Sequence, residues 1–451
     1  MKPVTAQWIA NACAGVLVAD VDTRVCAVVK DTRDVVPGAL YAAFVGEHVD
    51  GHDLVSQARE AGASLALVSQ SVDGPHIMVD DVARALGDIA RAYLADLRLS
   101  SHLRVIGITG SNGKTTTKDI LAQVLPDVVA PVGSYNNEIG LPLTVLSATP
   151  DTRHLVLEMG ASAPGDIAYL TSIAPLDIAV VLMVGSAHAG GYASLEALAA
   201  EKATIIDGLV AGGVGIVNAD DARLAALAQQ DARVVTFGFG DADVAGRDRH
   251  LDRGRAAFTV EGQQVQLTLV GDHHASNALA AYAVARRCGV DAADAAQAIS
   301  AARPVSAHRM ALSTRSDGVT VLDDSYNASP ESMRAAFRAL RAVADGATTW
   351  AVVGEMLEMG DESLRAHEDI GIDAVRLGID HLVVVGEGAR AAYVSAVREG
   401  SWADEAAYVA TIDQARELLA DRLAPGDTVL IKGSHGTGLW QLADDLVKET
   451  R

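Results

Sequence analysis

At 451 residues the chain exceeds one ordinary hydrophobic core, and at roughly 100 to 200 residues per domain it calls for several units. Half of it is hydrophobic with interspersed charge, which excludes disorder, and a net charge of −22 excludes general attraction to nucleic acid or an anionic membrane surface. An anionic ligand therefore needs local donors: backbone amides, a placed Lys or Arg, a divalent cation.

Cys13, Cys26 and Cys288 are widely spaced and form no CxxC, which fits free or buried thiols in a reducing compartment. The N-terminus lacks a basic flank with an apolar stretch, and no run of about 18 apolar residues occurs. The expectation is a cytoplasmic protein without stable membrane insertion.

Residues 1–99 mix short apolar runs (Cys26 to Val29, Leu40 to Phe44, Leu65 to Val68) with a helical pattern from Val82 to Leu97, and read as a small α/β domain. Polar Ser100, Ser101 and His102 mark a boundary. Residues 100–312 repeat apolar strand and helix: Val105 to Thr109, Leu155 to Glu158, Ile178 to Val184 and Val214 to Asn218, then a hairpin around Glu261 and Gly262 and a helix from Ala275 to Cys288. Near-continuous Val, Ile and Leu runs predict a parallel sheet covered on both faces. Residues 313–451 hold four strand candidates, Val319 to Leu322, Trp350 to Val353, Leu382 to Val385 and Val429 to Ile431, and read as a smaller parallel sheet. The predicted fold class is α/β with three domains: a central parallel-sheet P-loop ATPase domain, a small N-terminal α/β domain and a C-terminal Rossmann-like domain.

The strand Val105 to Thr109 runs into Gly110, Ser111, Asn112, Gly113, Lys114, Thr115 and Thr116, followed by a helix from Thr117 to Leu125. Glycines let the backbone curl around a phosphate while loop amides and the helix N-terminus point at its oxygens. Lys114 would neutralise the outer phosphates of ATP, and Thr115 would place its hydroxyl on magnesium. The first glycine falls late, with Ile108 where the usual loop has Gly, so the loop is a shortened variant.

Glu158 ends an apolar strand, so its carboxylate is predicted at the C-terminal edge of the sheet, where ligands of open α/β sheets bind, as a magnesium ligand. His188 follows the next strand on the same side; by itself it reads equally as a structural or solvated His. Lys202 interrupts an otherwise apolar stripe, Leu195, Leu198, Ile205, Ile206 and Leu209, on a helix predicted from Ser194 to Leu209. Either it snorkels from the edge of the stripe, or it is a partly desolvated amine with lowered proton affinity.

With these residues in place, the chain resembles the Mur ligase family along essentially its whole length. Tyr135, Asn136, Asn137, Glu138, Ile139, Gly140, Leu141, Pro142 and Asp323, Asp324, Ser325, Tyr326, Asn327, Ala328, Ser329, Pro330 look like signature segments of the branch that adds a dipeptide. Gly354 to Gly360 and Lys432, Gly433, Ser434 complete the pattern, and the DNPR signature of the preceding ligase is absent. Ser329 stands where Asn is usual, and His274 and Ala275 stand where Asn and a larger aliphatic are common.

The resemblance implies an ATP-dependent ligase that joins D-alanyl-D-alanine to the peptide carboxylate of UDP-N-acetylmuramoyl-tripeptide through an acyl phosphate, in peptidoglycan precursor synthesis. It implies that Lys114, Thr115, Asn137, Glu158 and His188 surround the ATP phosphates and two magnesium ions, with Lys202 carbamylated as an anionic metal ligand. It further implies Asn277 on the adenine, Arg309 and Asp324 on phosphate and ribose, and Asp31, Thr32, Arg33, Gly46, Glu47, Asp50, Gly51 and His52, with Asn136 and Asn137, on the UDP-sugar substrate. A monomer is expected. Two other readings are a folylpolyglutamate synthetase-like ligase and an ATP-binding regulator without catalysis. A second metal site would be superfluous in a mere sensor. The Gly-rich pieces Gly386 to Gly388 and Gly433 to Gly438 lack the full GxGxxG spacing, which removes a dinucleotide.

Overall fold

A computed structural model describes residues 1–46, 49–185, 191–228, 231–400 and 405–448. His188 and Glu47 lie outside the described residues.

The N-terminal part is a five-stranded sheet in the order Val16–Val18, His76–Met78, Ala63–Val68, Ala39–Ala42, Ala27–Val29, parallel except at the first pair. The helix Val82–Ser100 leaves it, its first turn capped by Asp81, whose carboxylate accepts from the amides of Ala83 and Arg84. Its apolar residues fall at helical spacing, and Leu86, Ile89, Tyr93 and Leu97 are buried in one cluster with Leu141, Val145 and Leu155 of the central part. The first two units thus share a core.

The central sheet has nine strands. Arg104–Thr109 lies in the middle between Leu176–Val181 and His154–Glu158, parallel to both, with Glu158 beside Ile108 in the register. The chain departs from this strand to opposite sides, so a crevice opens at its C-terminal end. Strands Arg255–Val260 and Gln263–Val270 form the antiparallel hairpin at one edge. Strand Leu176–Val181 ends before the predicted Val184.

The helix predicted from Ser194 to Leu209 is shorter. It runs Leu195–Ala203 behind a Ser194 cap, tightens into the 3₁₀ turn Thr204–Ile206, and gives way to the strand Leu209–Asn218. Gly208 then lets the chain pass close to the helix Asp166–Ile173, where a Cβ would come 2.4 Å from Cβ of Thr171.

The last sheet has six strands rather than four, in the order Ala311–Thr314, Thr320–Asp323, Thr428–Lys432, Thr349–Val353, His381–Val385, Ala406–Val409. The added strands are its two edges, and only Ala311–Thr314 is antiparallel. Among the described residues no helix is long and apolar enough to cross a membrane.

Candidate active site

The phosphate loop forms as its sequence requires. Gly113, at φ +90°, caps the helix Lys114–Val124, and a Cβ there would stand 2.3 Å from Oδ1 of Asn277, so only glycine fits. Nζ of Lys114 curls back and donates to the carbonyl of Gly110 at 2.6 Å. Burial drives Lys114 down to about 8, with Arg309 acting in the same sense against the pull of Glu158.

Glu158 is fully buried at the end of its strand. One oxygen, Oε2, accepts from the hydroxyls of Thr115 at 3.1 Å and Ser134 at 3.4 Å; the other, Oε1, is buried and meets no donor among the described residues. Burial raises its proton affinity, opposed by Arg309, Lys114 and Lys118. A buried carboxylate oxygen with unused lone pairs beside a Thr hydroxyl is a hard, anionic donor set that fits a magnesium ion.

Lys202 is 1 % exposed among Leu198, Ile205 and Ile206. Burial, helped by the charge of Lys114 and opposed by Glu201, lowers it to about 7. Snorkelling is thereby excluded: the amine is inside. Both oxygens of Glu201 accept backbone amides, from Gly165 and Ile167.

Above the loop lies a cavity of about 410 Å³ whose walls come from two units: Ser111 to Thr116 and Asn277 on one side, Arg309, Asp324, Tyr326 and Lys432 on the other. Arg309 lies over the ring of Tyr326 at 4.1 Å, and Nζ of Lys432 donates to Asp324 at 2.6 Å and to the carbonyl of Asn327 at 2.8 Å. Asn112 reaches across to Oγ of Ser329, which caps the helix Pro330–Ala344. Serine caps as well as the usual Asn there. A second cavity of about 870 Å³ lies between the helix Val82–Ser100 and the central unit, and Asn136 lines both. Asn137 lines the larger one, where its side chain also accepts from the amide of Gly140.

Models of the Mur ligase family match three successive stretches: the family's catalytic domain over residues 25–94, the middle domain over 108–285 and the glutamate ligase domain over 308–435. The chain is 42 % identical over 475 aligned positions to the UDP-N-acetylmuramoyl-tripeptide--D-alanyl-D-alanine ligase of Mycobacterium leprae, covering 92 % of each chain. This chain belongs to the Mur ligase family. The ligase of the same name from Bacillus subtilis is 34 % identical, covering 94 % of each chain. Among solved structures, MurF from Acinetobacter baumannii superposes with a TM-score of 0.88 at 29 % identity over 99 % of both chains. MurF from Thermotoga maritima, solved in complex with ADP, gives 0.81 at 28 % identity over 94 % of this chain and 97 % of that one.

In this Mur ligase the loop, Glu158, Lys202, Asn277, Arg309 and Asp324 converge on one region. Among the described residues, the N-terminal candidates line neither cavity. Asp31 caps the short turn Thr32–Asp34 and pairs with Arg33, whose side chain is 86 % exposed. His52 is buried, with Nδ1 on Asp50 at 2.6 Å and Nε2 accepting from the amide of Ser69 at 2.9 Å. Val45 and Asp50 form an isolated antiparallel bridge, and the amide of Gly46 donates to the carbonyl of Val49 at 3.0 Å. Sequence reading gave no role to Ser134 or Lys432; a Lys ending an apolar strand, as Glu158 does, was the available signal for the latter.

Proposed function

We propose that this chain is the ATP-dependent ligase that joins D-alanyl-D-alanine to the peptide carboxylate of UDP-N-acetylmuramoyl-tripeptide, the step of peptidoglycan precursor synthesis its relatives are named for, acting as a cytoplasmic monomer. In this reading residues 1–99 bind the UDP-sugar, 100–312 bind ATP and 313–451 complete the site. The observation that carries it is the junction of the two cavities at Asn136, next to Ser134 and Glu158: a nucleotide in one and an acid in the other meet there.

A carboxylate is a poor acyl donor until its oxygen is made a leaving group, which transfer of the γ-phosphoryl group accomplishes by forming an acyl phosphate. The amides of Ser111 to Thr116 and the following helix dipole hold the phosphates. Lys114 leaves the Gly110 carbonyl to neutralise charge on the transferred oxygens. The dipeptide amine then attacks the acyl carbon and phosphate departs. Glu158 and Thr115 would hold magnesium, which supplies charge neutralisation on the phosphate oxygens. Lys202, whose proton affinity burial lowers to about 7, would in its neutral form add to carbon dioxide with loss of a proton, and the carbamate would supply an anionic oxygen to hold a second magnesium. His188 belongs to the same set in this reading.

Phosphate release from ATP tests the proposal. It should require UDP-N-acetylmuramoyl-tripeptide and D-alanyl-D-alanine together; release sustained by folate and glutamate instead would replace this reading with a polyglutamyl ligase.

A further inference from the structure

The linker between the central and C-terminal units is tied to the helix behind the phosphate loop. On the helix Lys114–Val124, Asp119 and Gln123 fall one turn apart, on the face turned to residues 303–306. Gln123 exchanges two hydrogen bonds with Arg303: its Oε1 accepts from the amide at 2.9 Å, and its Nε2 donates to the carbonyl at 3.0 Å. Oδ2 of Asp119 accepts from the amide of Ser306 at 3.2 Å. Its Oδ1 pairs with Nζ of Lys118, which also donates to the carbonyl of Pro131 at 3.1 Å. Asp119 is buried, and a space of only about 10 Å³ remains between helix and linker, at the lower limit for one water.

Three residues beyond Ser306 the same segment delivers Arg309 to the wall of the nucleotide cavity. Its neighbours His308 and Met310 both adopt left-handed backbone, at φ +59° and +50°, although neither is glycine. Such conformations are costly and persist where the surroundings over-determine them. The C-terminal unit supplies one half of that determination. Nδ1 of His308 meets Oδ2 of Asp323 at 2.7 Å, the amide of Tyr326 donates to the carbonyl of His308 at 3.0 Å, and the amide of Met310 donates to Oδ1 of Asp324 at 3.2 Å. The central unit supplies the other half through Asp119 and Gln123. The charge of Arg309 acts on both Lys114 and Glu158, so a shift of the linker moves a cation relative to the phosphate grip. One rigid helix carries Lys114 and Thr115 at its start and the linker anchors in its later turns. We propose that Asp119 and Gln123 are positioning residues: by fixing the linker to the phosphate-loop helix, they set Arg309 against the nucleotide phosphates. The proposal rests on the nucleotide reading of the cavity and deepens it.

Double-mutant cycles with Arg309 in the full chain, read by phosphate release, test it. Arg309→Ala should lower turnover about 100-fold. Asp119→Asn turns one acceptor oxygen into a donor, so it can serve the Ser306 amide or Lys118 but not both, and should cost about tenfold. Gln123 is exposed, so Gln123→Ala should keep the parental urea transition and cost about fivefold; it carries the cycle if Asp119→Asn fails to fold. In the Arg309→Ala background each substitution should cost less than about twofold, because the residue it acts through is gone. Amide hydrogen exchange reads the anchors without turnover: the Arg303 amide should exchange about tenfold faster in Gln123→Ala than in the parent. Losses that multiply in full with that of Arg309→Ala, parental turnover in Gln123→Ala, or an unchanged Arg303 amide would overturn the proposal. Parental turnover in Arg309→Ala, or ADP binding by calorimetry unchanged in Lys114→Ala, would instead overturn the nucleotide reading beneath it.

Discussion

Around the phosphate loop the charged groups are buried and incompletely paired. Among the described residues Glu158 keeps an oxygen without a donor, Lys114 rests on a carbonyl rather than an anion, and Lys202 sits in an apolar pocket at about 7. On the N-terminal sheet the same residue types are paired locally: Arg33 with Asp31 two residues away, and His52 between Asp50 and the amide of Ser69. Burying charge without full pairing costs stability, so it persists where a ligand completes the set. An exposed pair between near neighbours can serve local geometry alone. The contrast separates two sets of residues that the sequence motifs present on equal terms.

The largest expected effect lies at the loop. Lys114→Ala should lower turnover by about 1000-fold with an unchanged unfolding transition, since the Lys acts on charge that develops during transfer. Near-parental turnover in the folded variant would dissolve the contrast. Lys202→Ala should lose about 100-fold, and millimolar short-chain carboxylates should restore part of it by occupying the place of the carbamate. The pH sign follows from burial: with its proton affinity lowered to about 7, the neutral fraction of Lys202 falls roughly tenfold per unit below about pH 6. Carbamate formation, followed by carbon-13 spectra with labelled carbon dioxide and magnesium, should fall accordingly, and a signal unchanged between pH 5 and 8 would contradict the assignment.

What could be read in advance was local. Strand, glycines, Lys, Thr and helix follow one another from Arg104 to Val124, and Glu158 is placed by the rule that a strand-ending acid emerges at the sheet edge. The edge strands Ala311–Thr314 and Ala406–Val409 are short, with few large apolar residues, and owe their state to the strands they pair with. The helix before Leu209 was overextended because a 3₁₀ turn keeps nearly the same stripe over three residues. Lys432 and Asp324 meet across 108 residues, and the two cavities share Asn136 only after three sheets are assembled. No spacing rule reaches that far.

A moderate effect is expected at His52. Replacing it with Ala leaves the Ser69 amide without its acceptor and Asp50 without its ring partner, and should destabilise the fold by about 1–3 kcal/mol. Urea unfolding measures this, and the comparison sharpens if affinity for the UDP-sugar peptide stays within about threefold in the folded variant. A large affinity loss at unchanged stability would instead move His52 into the binding surface.

Arg33 carries the smallest expected effect on the fold and the finest test of the contrast. Its guanidinium lies in water, paired with Asp31, and the hydrogen bonds from Arg33 hold Asp31 down to about 2. Solvent screens such a pair, so Arg33→Ala should change stability by less than about 1 kcal/mol. The resemblance gives this segment a second role, on the UDP-sugar. An exposed Arg that turns from Asp31 to a diphosphate exchanges one anion for another, so the net gain is modest: affinity should fall about tenfold, and the loss should shrink as salt rises. Titration of the full chain with UDP-N-acetylmuramoyl-tripeptide at two salt concentrations reads both. Unchanged affinity at low salt would leave Arg33 a partner of Asp31 and nothing more, and would shift the search for the diphosphate toward Arg84 and Arg91, which line the cavity of about 870 Å³.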